Sequence, residues 1–336
     1  MNWAEVLGSL TEGEDLTTAT AHQAMAEILA GEATSAQIAG FAIALRMKGE
    51  TVDELTGLLQ AMVDAADPVV LGPSVDAIDT CGTGGDRSGT INISSIAAFV
   101  VAGAGVPVCK HGNRSMSSQC GSADVYEALG VSIDLDPAGV ARSVTEVGMG
   151  FCFAQRFHAA LRHAGPTRKE LGVRTAFNFL GPMANPARVR RQVVGVSDHR
   201  MAERMLRVLV ANGAERPLVV FGHDGLDELT TTTTSTLIEW RDGEVVSHEV
   251  DATAFGLAPA SPGDLVGGDA TVNAAAAREV LDGAAGPHRD IVVLNAAAGL
   301  LAGGAVDDLG AGVTVAQASI DEGRAAGVLD RLAAFS

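Results

Sequence analysis

Hydrophobic positions along this chain follow two different spacings. From residue 1 to about 67 they recur at helical intervals: Ile38, Phe41, Ala42 and Leu45 make one stripe, and Leu55, Leu58, Leu59 and Met62 another. Polar residues stand where helix ends would need them. Thr20-x-x-Gln23, Thr34-x-x-Gln37 and Thr51-x-x-Glu54 each fit a capping box, Gly31 and Gly49 suit C-terminal caps, and Pro68 closes the unit. From about residue 70, short apolar runs alternate with helix-like ones, and the clearest strands are Val75 to Ile78, Val106 to Cys109, Gln192 to Val196 and Leu218 to Phe221. Such alternation predicts an α/β domain around a mainly parallel sheet. Asp242-Gly243, between Leu237 to Trp240 and Glu244 to Val250, predicts a hairpin. Helices are expected near Ala270 to Leu281, Asp290 to Leu301 and Thr314 to Leu332, the last opened by the box Thr314-x-x-Gln317. The expected organisation is a small helical domain over 1–70 and an α/β domain over 71–336. Pro166 to Pro186 breaks the alternation with a helix-like segment.

Two strands deliver loops with chemistry. After Val75 to Ile78 comes Asp79-Thr80-Cys81-Gly82-Thr83-Gly84-Gly85-Asp86, in which three glycines let backbone N–H groups form a concave nest for anions. Thr90-Ile91-Asn92-Ile93-Ser94-Ser95 then runs into a helix-like stretch, Ile96 to Ala104, whose N-terminus adds orphan donors and partial positive charge. No Lys-Ser or Lys-Thr pair follows the last glycine, so this is not a Walker A loop, nor is it Gly-x-Gly-x-x-Gly. The second strand leads into Lys110-His111-Gly112-Asn113-Arg114-Ser115-Met116-Ser117-Ser118, where cations, an imidazole, an amide and hydroxyls suit a phosphorylated, hydroxyl-rich ligand. Asp227-Glu228 is the best adjacent acidic pair, and taken alone it also reads as a plain acidic turn. Five consecutive threonines, Thr230 to Thr234, are β-prone and suggest no chemistry for most of their number.

With these motifs assembled, the chain resembles the anthranilate phosphoribosyltransferase family. The resemblance rests on Gly82 to Asp86, Asn92 to Ser95, Lys110 to Ser118, Gly165-Pro166-Thr167-Arg168, Arg174 to Pro182 and Asp227-Glu228-Leu229-Thr230, in the family's order across almost the whole chain. Cys120 departs from it, since relatives commonly carry a small residue such as serine there. The resemblance implies a nucleoside phosphorylase/phosphoribosyltransferase-like fold, with 166–190 packing on the helical domain and one cleft between the domains. It implies that anthranilate and phosphoribosyl pyrophosphate are the substrates. Phosphoribosyl pyrophosphate would be held by Gly82, Gly85, Asp86, Thr90, Asn92, Ile93, Ser94, Ser95, Lys110, His111, Gly112, Asn113, Arg114, Ser115, Met116, Ser117, Ser118 and Ser122. Anthranilate would meet Gly82, Asn113 and Arg168, the guanidinium facing the carboxylate. Mg²⁺ is the implied cofactor, on Ser94, Asp227 and Glu228, with substrate phosphates and water completing its oxygen shell. His111 is a candidate orienter of the amine. A pyrimidine nucleoside phosphorylase would share the architecture but lacks the Lys-His-Gly-Asn-Arg pattern, and a nucleic-acid-binding paralogue is the non-enzyme alternative.

Charge narrows these readings. A formal net charge of −18 argues against a nucleic-acid or membrane surface. Residues 156–191 nevertheless hold eight Lys/Arg against the single acid Glu170, so anion recognition is expected to be local. Cysteines at 81, 109, 120 and 152 lack paired metal spacing and read as reduced. No secretion signal or membrane span is evident, which predicts a cytoplasmic protein. The apolar stripe Leu55, Leu58, Leu59 and Met62 is expected to seek an external partner, giving a homodimer through the helical unit.

Overall fold

The computed structural model describes residues 1–115 and 119–335, so Met116, Ser117 and Ser118 lie outside the described residues. Four helices come first: α1 (Trp3–Thr11), α2 (Thr18–Ala30), α3 (Ser35–Lys48) and α4 (Val52–Asp64). Thr34–Gln37 and Thr51–Glu54 form capping boxes. Thr20 does not cap: Thr17 does, and its hydroxyl accepts from the Thr20 N–H. Gly31 closes α2 at φ 78°, a left-handed position that glycine takes without a Cβ penalty.

The alternating half runs β1 (Ile78–Gly82), α5 (Ile93–Gly103), β2 (Val108–Gly112), α6 (Ser122–Ala128), α7 (Pro137–Val147), β3 (Met149–Phe153), α8 (Ala154–Phe157), α9 (Gly165–Leu171), α10 (Phe177–Leu180), β4 (Arg191–Gly195), α11 (Ala202–Ala211) and β5 (Arg216–Gly222). The hairpin β6 (Ser235–Arg241) and β7 (Glu244–Val250) follows, with Asp242 and Gly243 both at positive φ as a tight primed turn requires. The chain ends with α12 (Ala270–Leu281), α13 (Pro287–Gly303), α14 (Leu309–Asp321) and α15 (Arg324–Ala333). The described strands form one sheet in the order β3-β2-β1-β4-β5-β6-β7, parallel from β3 to β5 and antiparallel at the hairpin edge.

Several expectations need correction. β1 begins at Ile78, not Val75, because only from Ile78 does the chain pair with β2 on one side and β4 on the other. This puts the polar Asp79 and Thr80 inside a central strand. β2 likewise starts later than expected, at Val108, and ends at Gly112. β3 has no expected counterpart: Met-Gly-Phe-Cys-Phe is buried at every position, so it lacks the alternation of a half-exposed strand. The stretch from Thr314 to Leu332 is two helices broken at Gly323, φ 71°, and α14 is capped by Asp308 instead of Thr314.

The Leu55, Leu58, Leu59, Met62 stripe is internal as well. Its residues are at most 2 % exposed, in a core shared with α2, α11 and the sheet-facing Phe177, Phe179, Leu180 and Met183. The stripe therefore has its partner inside the chain. The segment 165–184 returns to the helical unit, α9 packing on α3. A second core cluster joins α5, α6, α12, α13, α14 and α15 over the opposite face of the sheet. Among the described residues no helix is long and apolar enough to cross a membrane.

Candidate active site

Parallel strands put the ends of β1, β2, β4 and β5 on one side, so the loops after them meet there. Gly82 and Gly195, paired in register at the ends of β1 and β4, form a slot for Asp227. A Cβ on Gly82 would collide with Asp227 Oδ2, and one on Gly195 with the Asp227 carbonyl oxygen. Neither position tolerates a side chain.

Asp227 Oδ2 accepts the Gly84 N–H at 2.6 Å, so a carboxylate sits in the glycine nest. Glu228 Oε1 accepts the Ser94 N–H at 3.2 Å, in the first turn of α5. Burial, then the charge of Asp86, pushes Asp227 up to about 7; burial, then Asp227, pushes Glu228 up to about 8. Three acids are thus crowded against two groups of backbone donors. Among the described residues no three His, Cys, Asp or Glu side chains converge as a complete metal cage. Two carboxylates with shared negative charge nevertheless fit Mg²⁺, which takes few protein ligands and fills its shell from phosphates and water.

Several of the residues expected to hold the phosphoribosyl donor are hydrogen-bonded within the loops after β1 and β2 and the start of α5. Asp86 holds Ser88 through its N–H and hydroxyl, and Thr90 forms a bridge with Val266. The Asn92 amide donates to the Cys120 carbonyl and accepts from Asn273, while Ser95 offers its carbonyl to Tyr126. Gly112 leaves room for Ser122, whose hydroxyl accepts the Asn113 N–H at 3.1 Å. Burial, then Asp124, pushes the Cys120 thiol up to about 11, so it stays protonated.

Two expected counter-charges are engaged elsewhere in the chain. Lys110 is buried, its ammonium donating to the Thr80 carbonyl inside the sheet. Arg114 pairs with Asp124 at 2.7 Å and with Glu127 at 2.5 Å on α6, and Glu127 chiefly holds its guanidinium charged.

Two more of the expected residues are Arg168, on α9 of the helical return, and His111, in β2. Arg168 is half-buried over the Phe177 ring at 5.2 Å, and among the described residues no carboxylate meets it. Burial alone lowers its pKa. His111 is buried beside His158, ring centroids 5.0 Å apart. Its ring nitrogens have no hydrogen-bond partner among the described residues, with only a weak approach of the Gly181 backbone. Burial first, then His158 and Lys110, drives its pKa well below the ordinary value, so the ring is neutral.

Some site residues escaped the sequence reading. Arg174 donates to Ser197 Oγ at 3.0 Å and to the Gly84 and Gly85 carbonyls, latching the helical return onto the glycine loop. Its place in the Arg174 to Pro182 run was the available signal. Ser197, just past β4, also donates to the Gly84 carbonyl at 3.0 Å. Asp79 accepts from the His111 N–H at 3.1 Å and the Asn185 amide at 2.8 Å, bolting β1 to β2 and to the segment that follows α10. A separate cavity of about 110 Å³ lies by the N-terminal end of β4, lined by Leu59, Val63, Met183, Gln192 and Leu209, away from these loops.

Comparison with known proteins shows the family. Residues 4–66 match the helical bundle domain of a glycosyl transferase family, and residues 74–326 match its a/b domain. The chain is 52% identical to an anthranilate phosphoribosyltransferase of Arthrobacter sp. (strain FB24), covering 99% of this chain and 96% of that protein. It is 53% identical to one from Nocardioides sp. (strain ATCC BAA-499 / JS614), covering 98% and 97%. Among solved structures, the anthranilate phosphoribosyltransferase of Thermus thermophilus superposes with a TM-score of 0.93 at 40% identity, covering 98% of both chains. The Saccharomyces cerevisiae enzyme in complex with PRPP and Mg gives 0.89 at 26% identity, over 98% of this chain and 96% of that one.

Proposed function

The chain belongs to the anthranilate phosphoribosyltransferase family, and we propose, from the geometry of its cleft, how its residues divide the work of that reaction. It transfers the phosphoribosyl group of 5-phosphoribosyl 1-pyrophosphate to the amine of anthranilate, giving N-(5-phosphoribosyl)anthranilate and pyrophosphate, a step of tryptophan biosynthesis. The observation that carries the division is the acid pair Asp227-Glu228, the first buried and the second half-buried, which accepts the Gly84 and Ser94 N–H groups and is raised to about 7 and about 8 by desolvation and crowding.

In the reaction the C1–O bond to pyrophosphate breaks, the N–C1 bond forms, and the amine loses one proton. Charge separates between a cationic ribosyl ring and an anionic leaving group, so catalysis here is chiefly electrostatic and positional. Mg²⁺, when bound by Asp227, Glu228 and Ser94, supplies positive charge to the pyrophosphate oxygens. The Gly84 N–H and the Ser94 N–H at the N-terminus of α5, which now serve Asp227 and Glu228, are the backbone donors available to those oxygens. Asn92, Asn113, Ser115, Ser122 and Thr90 surround ribose and 5-phosphate, with Met116, Ser117 and Ser118 assigned there by motif alone. Arg168, lacking a carboxylate of its own, receives that of anthranilate, and burial makes the pair stronger than it would be in water. Neutral His111, its buried ring nitrogens without a side-chain partner, is assigned as the orienter of the aryl amine by the motif. No strong base is required, because the attacking amine is neutral and an arylammonium is acidic.

We also infer a homodimer through the helical unit, on a face other than the Leu58–Met62 stripe. Met47 of α3, 83% exposed, marks that face. Four free cysteines suit a reducing, cytoplasmic setting. The direct test follows anthranilate fluorescence with phosphoribosyl pyrophosphate and a Mg²⁺ titration. Mg²⁺-dependent loss of fluorescence is expected, whereas phosphorolysis of a pyrimidine nucleoside without it would overturn the assignment. Sedimentation at micromolar concentration tests the dimer, and a monomer would refute it.

A further inference from the structure

Asp227 and Glu228 lie on the connection from β5 to β6, which has no regular secondary structure to hold them. Two clasps hold it instead. On the core side stands Asn295 of α13, 4% exposed, whose Oδ1 accepts the Leu229 N–H at 2.9 Å while its Nδ2 donates to the Leu229 carbonyl at 2.8 Å. The second amide hydrogen goes to the Ile291 carbonyl at 2.9 Å, so the side chain is fully committed and its orientation set. It reads both backbone groups of the residue next to Glu228, much as a neighbouring strand would.

On the solvent side Asp224 accepts from the Leu226 N–H at 3.2 Å and from the hydroxyls of Thr230, at 2.7 Å, and Thr232. His223 takes the next two alternate hydroxyls, Thr234 at 2.8 Å and Thr236 at 2.9 Å. The threonine run therefore serves as a row of hydroxyls, every second one bound to one of two adjacent side chains.

We propose that Asn295, with Asp224 as its counterpart across the loop, is a positioning residue for the Asp227-Glu228 pair: it fixes the Leu229 peptide and thereby aims both carboxylates at the cation. The proposal rests on the reading of that pair as the Mg²⁺–pyrophosphate ligand. Removing the Asn295 amide leaves two buried backbone groups of Leu229 without partners, and such groups rotate until they find others. A displacement of about 1 Å at a reacting centre is enough to cost on the order of a hundredfold.

The test compares Asn295→Ala, Asp224→Ala and Val292→Ala, the last removing apolar packing from the same buried helix and no hydrogen bond to the loop. Calorimetric titration of Mg²⁺ with inorganic pyrophosphate into the full chain reads the site without turnover. Asn295→Ala is expected to weaken that binding about tenfold or more and raise the Mg²⁺ requirement equally, leaving the anthranilate KM within about twofold. Asp224→Ala, at an exposed residue, is expected to shift the same way about threefold. Val292→Ala should lose thermal stability only. If Asn295→Ala behaves like Val292→Ala, with Mg²⁺–pyrophosphate affinity intact, Asn295 is structural and the proposal is overturned. Should Asn295→Ala not fold, Asp224→Ala decides by the same readout. The reading beneath it is checked separately: Asp227→Asn with Glu228→Gln binding Mg²⁺–pyrophosphate as the unmodified protein does would remove the pair's assignment, and the proposal with it.

Discussion

The two halves of the proposed site, donor and acceptor, are built on opposite principles. On the donor side the glycine loop, the start of α5 and the acid pair bond to one another: Asp227 fills the nest at Gly84, Glu228 takes Ser94, and Arg174 caps the glycine carbonyls. On the acceptor side Arg168 has no carboxylate and His111 no ring partner among the described residues. A flexible loop for a highly charged ligand needs internal bonds to stay ordered, and binding exchanges those bonds for equivalent ones. A small neutral-ringed acceptor with one charge has less binding energy to offer, so its site keeps its polar groups ready and accepts the cost of leaving them unmade.

The largest effect should come from dismantling the donor side. Asp227→Asn with Glu228→Gln removes both metal carboxylates, each contributing a few kcal/mol to the transition state, and turnover should fall roughly ten-thousand-fold. Stability should move the other way. Both acids are raised above their unfolded values, so the native state binds more protons, and this contribution to stability is lost as pH rises from about 4 to about 8. Denaturant unfolding at pH 8 without metal should find the double variant more stable than the parent, a gain absent at pH 4. Equal or lower stability at pH 8 would show that the carboxylates are not strained against each other.

Next in size is the acceptor side. Arg168→Ala should raise the anthranilate KM by about ten- to a hundredfold, as loss of a charge-assisted bond of ~1.5–3 kcal/mol requires. The donor KM should hardly change. Two-substrate kinetics that weaken both equally would place Arg168 on the donor side and erase the contrast.

Arg174 joins the two sides, and its removal should be milder. Arg174→Ala frees the Gly84 and Gly85 carbonyls to water, at about 1 kcal/mol, so the donor KM should rise about fivefold. A larger change in the anthranilate KM would mean that the latch serves the acceptor instead.

Smallest, and most specific, is a proton count. With Asp227 and Glu228 raised to about 7 and about 8, binding of Mg²⁺ and phosphoribosyl pyrophosphate near pH 7 should expel protons. Calorimetric heats in two buffers of different ionisation enthalpy would differ. The difference should shrink well above pH 8, at about pH 9 to 10, where both acids are already ionised. His111 adds nothing to this count, since its pKa is held well below the ordinary value by burial.

Much of the architecture was legible because local rules decided it. Thr34 and Thr51 with their partners three residues on define helix starts, and Asp242-Gly243 at positive φ defines the hairpin. α12 and β7 begin and end where the pattern predicts. The parallel sheet follows from strand and helix alternation, and the two loops announce themselves through residue types that favour anions. Local rules fail where burial is two-sided or where a competing local option exists. β3 has no polar face to alternate with. Thr314 is bypassed because Asp308 offers an earlier cap, starting the helix sooner.

Amino-acid order by itself therefore determined most of the elements, the succession of strand and loop that carries the glycine and Lys-His-Gly-Asn motifs, and the kinds of group available there. Only the tertiary structure decided which groups are free to act. Lys110 and Arg114 look alike in sequence as phosphate counter-charges, yet one is buried on a strand carbonyl and the other neutralised by α6. Leu58 and Met62 look like an interface and are core. Asn295, 66 residues beyond Leu229, becomes its neighbour only when α13 packs beneath the sheet. The physical reason is common to all three. A side chain's charge and hydrogen bonds act over a few ångströms, and those distances are set by long-range packing that residue spacing along the chain does not encode.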